Sequence, residues 1–238
     1  MAGRALSYAA LLLAVQLPGG CSERNSTGIT PSEQVRSAPA SGTRPAPTGD
    51  TRLVLAFGDS LYAGFGLKPD ESFPYELERA LGHRGIDVRV HNAGVTGDTS
   101  AAGLQRLAFT LDGLPRKPDL AIVGLGANDM LRGLDPATTR RNLDHILSEL
   151  RRREIPFMLT GMLAAPNLGR DYGARFNAIY PDLARKYDAA LDPFFLDGVL
   201  TDPALMLPDR LHPNAAEIDV IVKRVTPLVA ERLNDHSG

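Results

Sequence analysis

The 238-residue sequence has no tryptophan and only one cysteine, Cys21. A lone cysteine excludes an intrachain disulfide and any metal site built from several thiolates. No His-Glu-x-x-His pattern occurs, and the five histidines (His83, His91, His145, His212 and His236) are scattered. No metal requirement is therefore read, and no cofactor is expected. Neither sign of charge dominates: 26 Lys and Arg stand against 28 Asp and Glu, a formal net charge of −2. Nothing then draws the whole chain to nucleic acid or to an anionic membrane. The one basic run, Arg151-Arg152-Arg153, closes a predicted helix, where cations complement the helix dipole. The Gly-x-Ser-x-Gly elbow of α/β-hydrolase lipases is missing. Gly124-x-Gly126 lacks the third glycine of a dinucleotide fingerprint, with Asp129 in its place.

Long apolar runs are also scarce, and the clearest lies at the N-terminus. Arg4 and the amino group supply positive charge, an apolar stretch runs from about Tyr8 to Leu17, and Pro18-Gly19-Gly20-Cys21 follows. Residues 1–21 thus have a signal-peptide layout, too short in its apolar part to span a bilayer unaided. Cysteine after two glycines resembles a bacterial lipoprotein cleavage site, although Pro18 and Gly19 stand where that pattern usually has Leu and Ala or Ser. Acylation of Cys21 is the expectation, tethering the protein to a membrane surface without spanning it. More than half of residues 22–50 are Ser, Thr, Pro or Gly, and Ile29 and Val35 are the only large aliphatics. Such a segment cannot bury enough apolar surface to offset its ordering entropy and is expected to be a linker. As a flexible coil it spans on the order of 30 Å.

From residue 51 to 238 the pattern predicts one domain in which apolar strands alternate with amphipathic helices. Strands are expected at Leu53–Phe57, Asp87–His91, Leu120–Leu125, Phe157–Met162 and Ala190–Phe195. Helices are expected at Phe73–Leu81, Thr99–Leu111, Pro136 to about Arg153, Tyr172 to Tyr187 interrupted by Pro181, and Asn214–Leu233. Near-continuous apolar strands with helical crossovers imply an α/β domain in three layers, with a parallel sheet of about five strands covered on both faces.

Chemistry in such a sheet gathers at the carboxyl ends of its strands. There the chain places Gly58-Asp59-Ser60, Gly94-Val95-Thr96-Gly97-Asp98 and Gly126-Ala127-Asn128-Asp129, with Asp209-Arg210-Leu211-His212-Pro213 before the last helix. A serine hydroxyl becomes a nucleophile when a base takes its proton, and neutral histidine is the usual base near pH 7. His212 has Asp209 three residues earlier to hold its tautomer. The amides of Ser60 and Gly97 and the side chain of Asn128 are the available oxyanion donors. Taken singly each segment is an ordinary turn or helix cap. Their order and shared edge are what those plain readings leave unexplained.

The four segments resemble the blocks of the SGNH, or GDSL, hydrolases, over roughly residues 53–232. The likeness is nearest to the bacterial periplasmic thioesterase I, lysophospholipase and arylesterase subgroup. The resemblance implies a flavodoxin-like sheet, a Ser60–Asp209–His212 triad, and Ser60, Gly97 and Asn128 as the oxyanion hole. It also implies an exported, periplasmic enzyme that hydrolyses aryl esters, thioesters and lysophospholipids, its partner being a small or lipid-like ester. A carbohydrate O-acetylesterase of the same family is the enzymatic alternative, and a binding module that kept the fold without activity is the other. Leu131, Leu134 and Leu163, in loops after the third and fourth strands, are expected to line an acyl groove. Nothing in the sequence sets an oligomeric state, and a monomer is assumed.

Overall fold

The computed structural model describes residues 51–198 and 203–235. Cys21 and the expected signal and linker segments lie outside the described residues. Five strands, β1 (Arg52–Gly58), β2 (Val88–Gly94), β3 (Leu120–Gly124), β4 (Phe157–Thr160) and β5 (Ala190–Asp192), form one sheet in the order β2-β1-β3-β4-β5. Every pairing is parallel. β1 and β3 are buried along nearly their whole length, as uninterrupted apolar strands covered on both faces require. β2 is an edge strand and differs: Val88, Val90 and Ala93 turn inward while His91 and Asn92 face solvent.

Among the described residues eight α-helices accompany the sheet: α1 (Ser60–Ala63), α2 (Phe73–His83), α3 (Ser100–Asp112), α4 (Ala127–Leu131), α5 (Pro136–Arg152), α6 (Arg170–Asn177), α7 (Ile179–Tyr187) and α8 (Ala215–Asp235). α2 packs against α8, and α3 against α5. The chain leaves β1 for β2 on one side and later returns to pair β3 on the other, so the direction of winding reverses at the carboxyl end of β1. In open α/β sheets that reversal opens the crevice where ligands bind.

Most expected elements form within a few residues of their predicted bounds. One predicted helix divides: the segment from 172 to 187 breaks at Ala178, just ahead of Pro181. Proline lacks an N–H and its ring crowds the carbonyl four residues back, so the turn before it cannot continue regularly. β5 stops at Asp192 because Pro193 cannot extend the ladder. Proline at 227, by contrast, leaves α8 unbroken on an exposed face. The basic run at the end of α5 is held by carboxylates, with Arg152 and Arg153 on Glu149 at 2.7 Å and Arg153 also on Asp112 at 2.5 Å.

One ion pair anchors α8, the helix that follows the His212 turn. Asp192, whose side chain is 2% exposed, accepts from Arg224 at 2.9 and 3.2 Å. The same guanidinium also donates to the carbonyls of Phe194, Phe195 and Asp197. Removing one partner of such a pair leaves a buried charge uncompensated, which costs more than the pair itself contributes. Arg224→Met is expected to lower the unfolding free energy by about 3 kcal/mol, read by urea denaturation. A change within experimental error would show that Asp192 is solvated after all.

Candidate active site

Ser60 opens α1 directly after β1. Asp59 caps that helix, its Oδ1 accepting the N–H of Leu61 at 3.0 Å. Behind the serine, Tyr62 fixes α1 across the sheet: its hydroxyl shares a 2.8 Å hydrogen bond with Thr160 at the end of β4, and its ring packs against both Phe73 and Phe195. His212 reaches Ser60 from the far end of the chain, with Nε2 2.8 Å from the serine Oγ. Its Nδ1 lies 2.7 Å from Asp209 Oδ2. An ionised carboxylate only accepts, so neutral His212 carries its hydrogen on Nδ1 and Ser60 donates to Nε2.

The turn holding this pair is closed on itself. Asp209 Oδ1 accepts the N–H groups of Leu211 (2.9 Å) and His212 (3.0 Å), with Arg210 between them in the left-handed region at φ 56°. The N–H of Leu207 donates to the His212 carbonyl at 2.8 Å, and that of Asn214 to the Leu205 carbonyl at 2.9 Å. Led by the Leu211 amide, with the ring and amide of His212, the hydrogen bonds on Asp209 lower its pKa to about 2, keeping the carboxylate charged beside the imidazole.

The three expected oxyanion donors lie on α1, on the turn after β2 and on α4. Ser60 is the first residue of α1, and the opening N–H groups of a helix have no partner within it. Gly97 is the third residue of a turn closed by the Asp98 N–H on the Val95 carbonyl, and its φ of +85° is one that side-chain-bearing residues rarely adopt. Among the described residues no turn hydrogen bond uses the N–H of Ser60 or Gly97. Asn128 sits in the first turn of α4 and gives one Nδ2 hydrogen to the Asp98 carbonyl at 3.0 Å, and its side chain also hydrogen-bonds the Asp59 carboxyl.

Several supporting residues were not singled out from the sequence. Arg132, at the end of α4, donates to the Gly97 carbonyl at 2.9 Å, so α4 grips the Gly97–Asp98 turn at two points. Arg106 pairs with Asp98 at 2.6 Å, donates to the Gly58 carbonyl at 2.9 Å and lies over the Phe57 ring. Asp129, fully buried, caps α3 by accepting from the Ser100 N–H (2.7 Å) and hydroxyl (2.5 Å), and also takes the Thr139 hydroxyl (3.1 Å). Phe65 lies against the imidazole of His212, ring centroids 4.5 Å apart. Leu131, Leu134 and Leu163 all remain exposed, Leu131 at the end of α4, Leu134 just beyond it and Leu163 after β4. Among the described residues no group of three or more His, Cys, Asp or Glu side chains converges as metal ligands would, and no helix is long and apolar enough to cross a membrane.

Serine, imidazole and carboxylate in this line, on a flavodoxin-like sheet, are arranged as in serine hydrolases. Residues 56–216 match the GDSL-like lipase/acylhydrolase family. The chain is 40% identical over 160 residues to an arylesterase of Vibrio mimicus, covering 67% of this chain and 79% of that one. It is 36% identical over 188 residues to thioesterase 1/protease 1/lysophospholipase L1 of Escherichia coli strain K12, covering 77% and 87%. The solved structure of AlinE4, a SGNH-hydrolase family esterase, superposes with a TM-score of 0.67 at 55% identity, over 78% of this chain and 98% of that one. The chain belongs to the GDSL-like lipase/acylhydrolase family and is an ester-cleaving hydrolase.

Asp59 carries a titration consequence. It is 1% exposed, and burial, with Asp98 and Asp129 nearby, raises its carboxyl to a pKa of about 7 against the opposing Leu61 amide and Asn128 side chain. A pKa raised on folding means the native state holds a proton that the unfolded chain releases near its ordinary value of 3.8. Asp59 then favours the native state below the unfolded value, and that contribution is lost as pH rises toward about 7. Asn keeps the capping oxygen and has no charge to bury. Asp59→Asn is therefore expected to be more stable than the native chain at pH 8, with the difference vanishing at pH 4. A difference that is independent of pH, read from thermal midpoints at both values, would contradict this.

Proposed function

We propose that Ser60 is the covalent nucleophile of this hydrolase, with His212 as its base and Asp209 orienting the imidazole. The observation that carries the reading is the unbroken relay from Asp209 through both ring nitrogens to Ser60 Oγ, at 2.7 and 2.8 Å. In acylation, Ser60 Oγ bonds to the carbonyl carbon while its proton passes to His212 Nε2. The bond to the leaving oxygen or sulfur then breaks, and His212 gives that proton to the departing atom. Water repeats the sequence on the acyl-enzyme, His212 taking its proton and returning it to Ser60 Oγ as the acid departs. Asp209 stays ionised throughout and stabilises the transient imidazolium. The amides of Ser60 and Gly97 and the Asn128 side chain receive the oxyanion, each such donor contributing about 3 kcal/mol to the barrier reduction.

The substrates are carboxylic esters and thioesters of the arylesterase, acyl-CoA thioesterase and lysophospholipase type. Support comes from relatives bearing arylesterase, thioesterase and lysophospholipase names and from an exposed apolar rim beyond β3 and β4. In this reading Leu131, Leu134 and Leu163 wall the acyl chain. Residues 1–21 export the chain to the periplasm, acylated Cys21 tethers it to a membrane, residues 22–50 form a spacer, and residues 51–238 work as a monomeric hydrolase domain.

A fluorophosphonate probe tests the nucleophile. The native protein is expected to label at one site, and Ser60→Ala not at all; equal labelling of the two would refute the assignment. Leu134→Asp tests the acyl wall, because a charge placed there opposes a long apolar chain but barely meets an acetyl group. Its kcat/KM should fall at least about tenfold more for p-nitrophenyl decanoate than for p-nitrophenyl acetate. Equal loss on both esters would remove Leu134 from the groove.

A further inference from the structure

The direction of proton transfer gives the site two sides. His212 must hand its proton to the departing atom, so that atom comes within hydrogen-bond reach of Nε2. The part of the substrate placed against the residues around His212 is therefore the leaving group, and not the acyl chain.

One side chain is built into that position. The ring of Phe65 lies 4.5 Å from the imidazole of His212, the planes inclined by 36°. It remains 45% exposed and stays out of the buried aromatic cluster formed by Tyr62, Phe73 and Phe195. The backbone holds it to both halves of the relay. The Phe65 N–H donates to the Ser60 carbonyl at 3.2 Å, tying the ring to the helix of the nucleophile. Gly66, at φ +75°, packs so closely on the His212 turn that a Cβ there would lie 2.6 Å from Leu207 Cδ1. Leu211, next to His212 in the chain, is a second apolar side chain left 48% exposed. A large ring held half in water at a fixed distance from a polar relay adds little to the core. The exposed part of the ring is a flat apolar surface next to the imidazole that protonates the leaving group.

We propose that Phe65 forms the leaving-group subsite and stacks on a flat aromatic alcohol, which gives this hydrolase a preference for aryl over alkyl leaving groups at equal acyl chain. The proposal rests on the assignment of Ser60 and His212. During acylation the Ser60 Oγ–carbon bond forms, the carbon–oxygen bond to the phenol breaks, and the Nε2 proton of His212 ends on the phenol oxygen. Stacking assists this half of the reaction only, because the phenol has gone before water attacks.

Phenyl acetate and ethyl acetate share one acetyl-enzyme and differ only in what leaves, so comparing them isolates the subsite. In Phe65→Ala the ratio of kcat/KM for phenyl acetate to that for ethyl acetate is expected to fall about tenfold, the scale of an aromatic contact with its buried area. Phe65→Tyr should restore the ratio, and Phe65→Leu should restore it only in part. Because the residue is surface-exposed, thermal midpoints of the variants should stay close to that of the native chain. A loss shared equally by both esters would mean that Phe65 serves His212 itself and would overturn the subsite, as would no loss on either. Ser60→Ala activity on both esters, measured alongside, separates the two levels. Retained turnover there would overturn the nucleophile assignment, whereas an inactive Ser60→Ala with an indiscriminate Phe65→Ala would overturn the subsite alone.

Discussion

The hydrogen bond between Ser60 and His212 joins residues 152 positions apart, and it can form only if both ends of the domain are held against the same sheet edge. Its two partners reach that edge differently. Ser60 comes off β1, whose buried backbone is paired on both sides, so its position is set by the centre of the sheet. His212 rides on an irregular turn whose own donors are spent on Asp209 and on neighbouring carbonyls. The turn is then fixed downstream through α8 and the Arg224–Asp192 pair at the end of β5. A catalytic constellation needs placement to within a fraction of an ångström, and here a rigid strand supplies one side and a self-satisfied turn the other.

The proposed oxyanion side follows the same rule with different materials. Gly97 belongs to a turn and Asn128 to α4, yet Asn128 and Arg132 both bond to the Gly97–Asp98 turn, so the two are tied into one unit. Arg106 ties that unit to the end of β1 through Asp98 and the Gly58 carbonyl. Buried carboxylates at 59, 98 and 129 are the cost of this construction. Two of them meet arginine, hydroxyl and amide donors, while Asp59 meets only the Leu61 and Asn128 amides, and burial raises its pKa to about 7.

What could be read from the residues alone divides along physical lines. β1 and β3 were legible because fully buried parallel strands are continuous apolar runs, and α5 because Leu143, Ile146, Leu147 and Leu150 repeat at helical spacing. Ser60, Gly97, Asn128, Asp209 and His212 were legible because each lies in a polar, glycine- or proline-marked segment just past a strand or just before a helix. The four- and five-residue helices α1 and α4 carry too few residues for a period to show. The roles of Arg106, Arg132 and Phe65 depend on partners 48, 35 and 147 residues away, and an exposed arginine or phenylalanine has the same composition with or without such a partner. The burial of Asp59 was equally hidden, since Gly-Asp-Ser is also the sequence of an ordinary surface turn.

The central claim is that hydrolysis proceeds through an ester of Ser60. Rapid acid quench of the native protein turning over p-nitrophenyl acetate, followed by peptide mass analysis, tests it most directly. The account predicts an added acetyl group on the peptide containing Ser60, formed in step with a burst of p-nitrophenol equal to the enzyme present. A linear release of p-nitrophenol from a protein that carries acetyl on another residue, and none on that peptide, would contradict it.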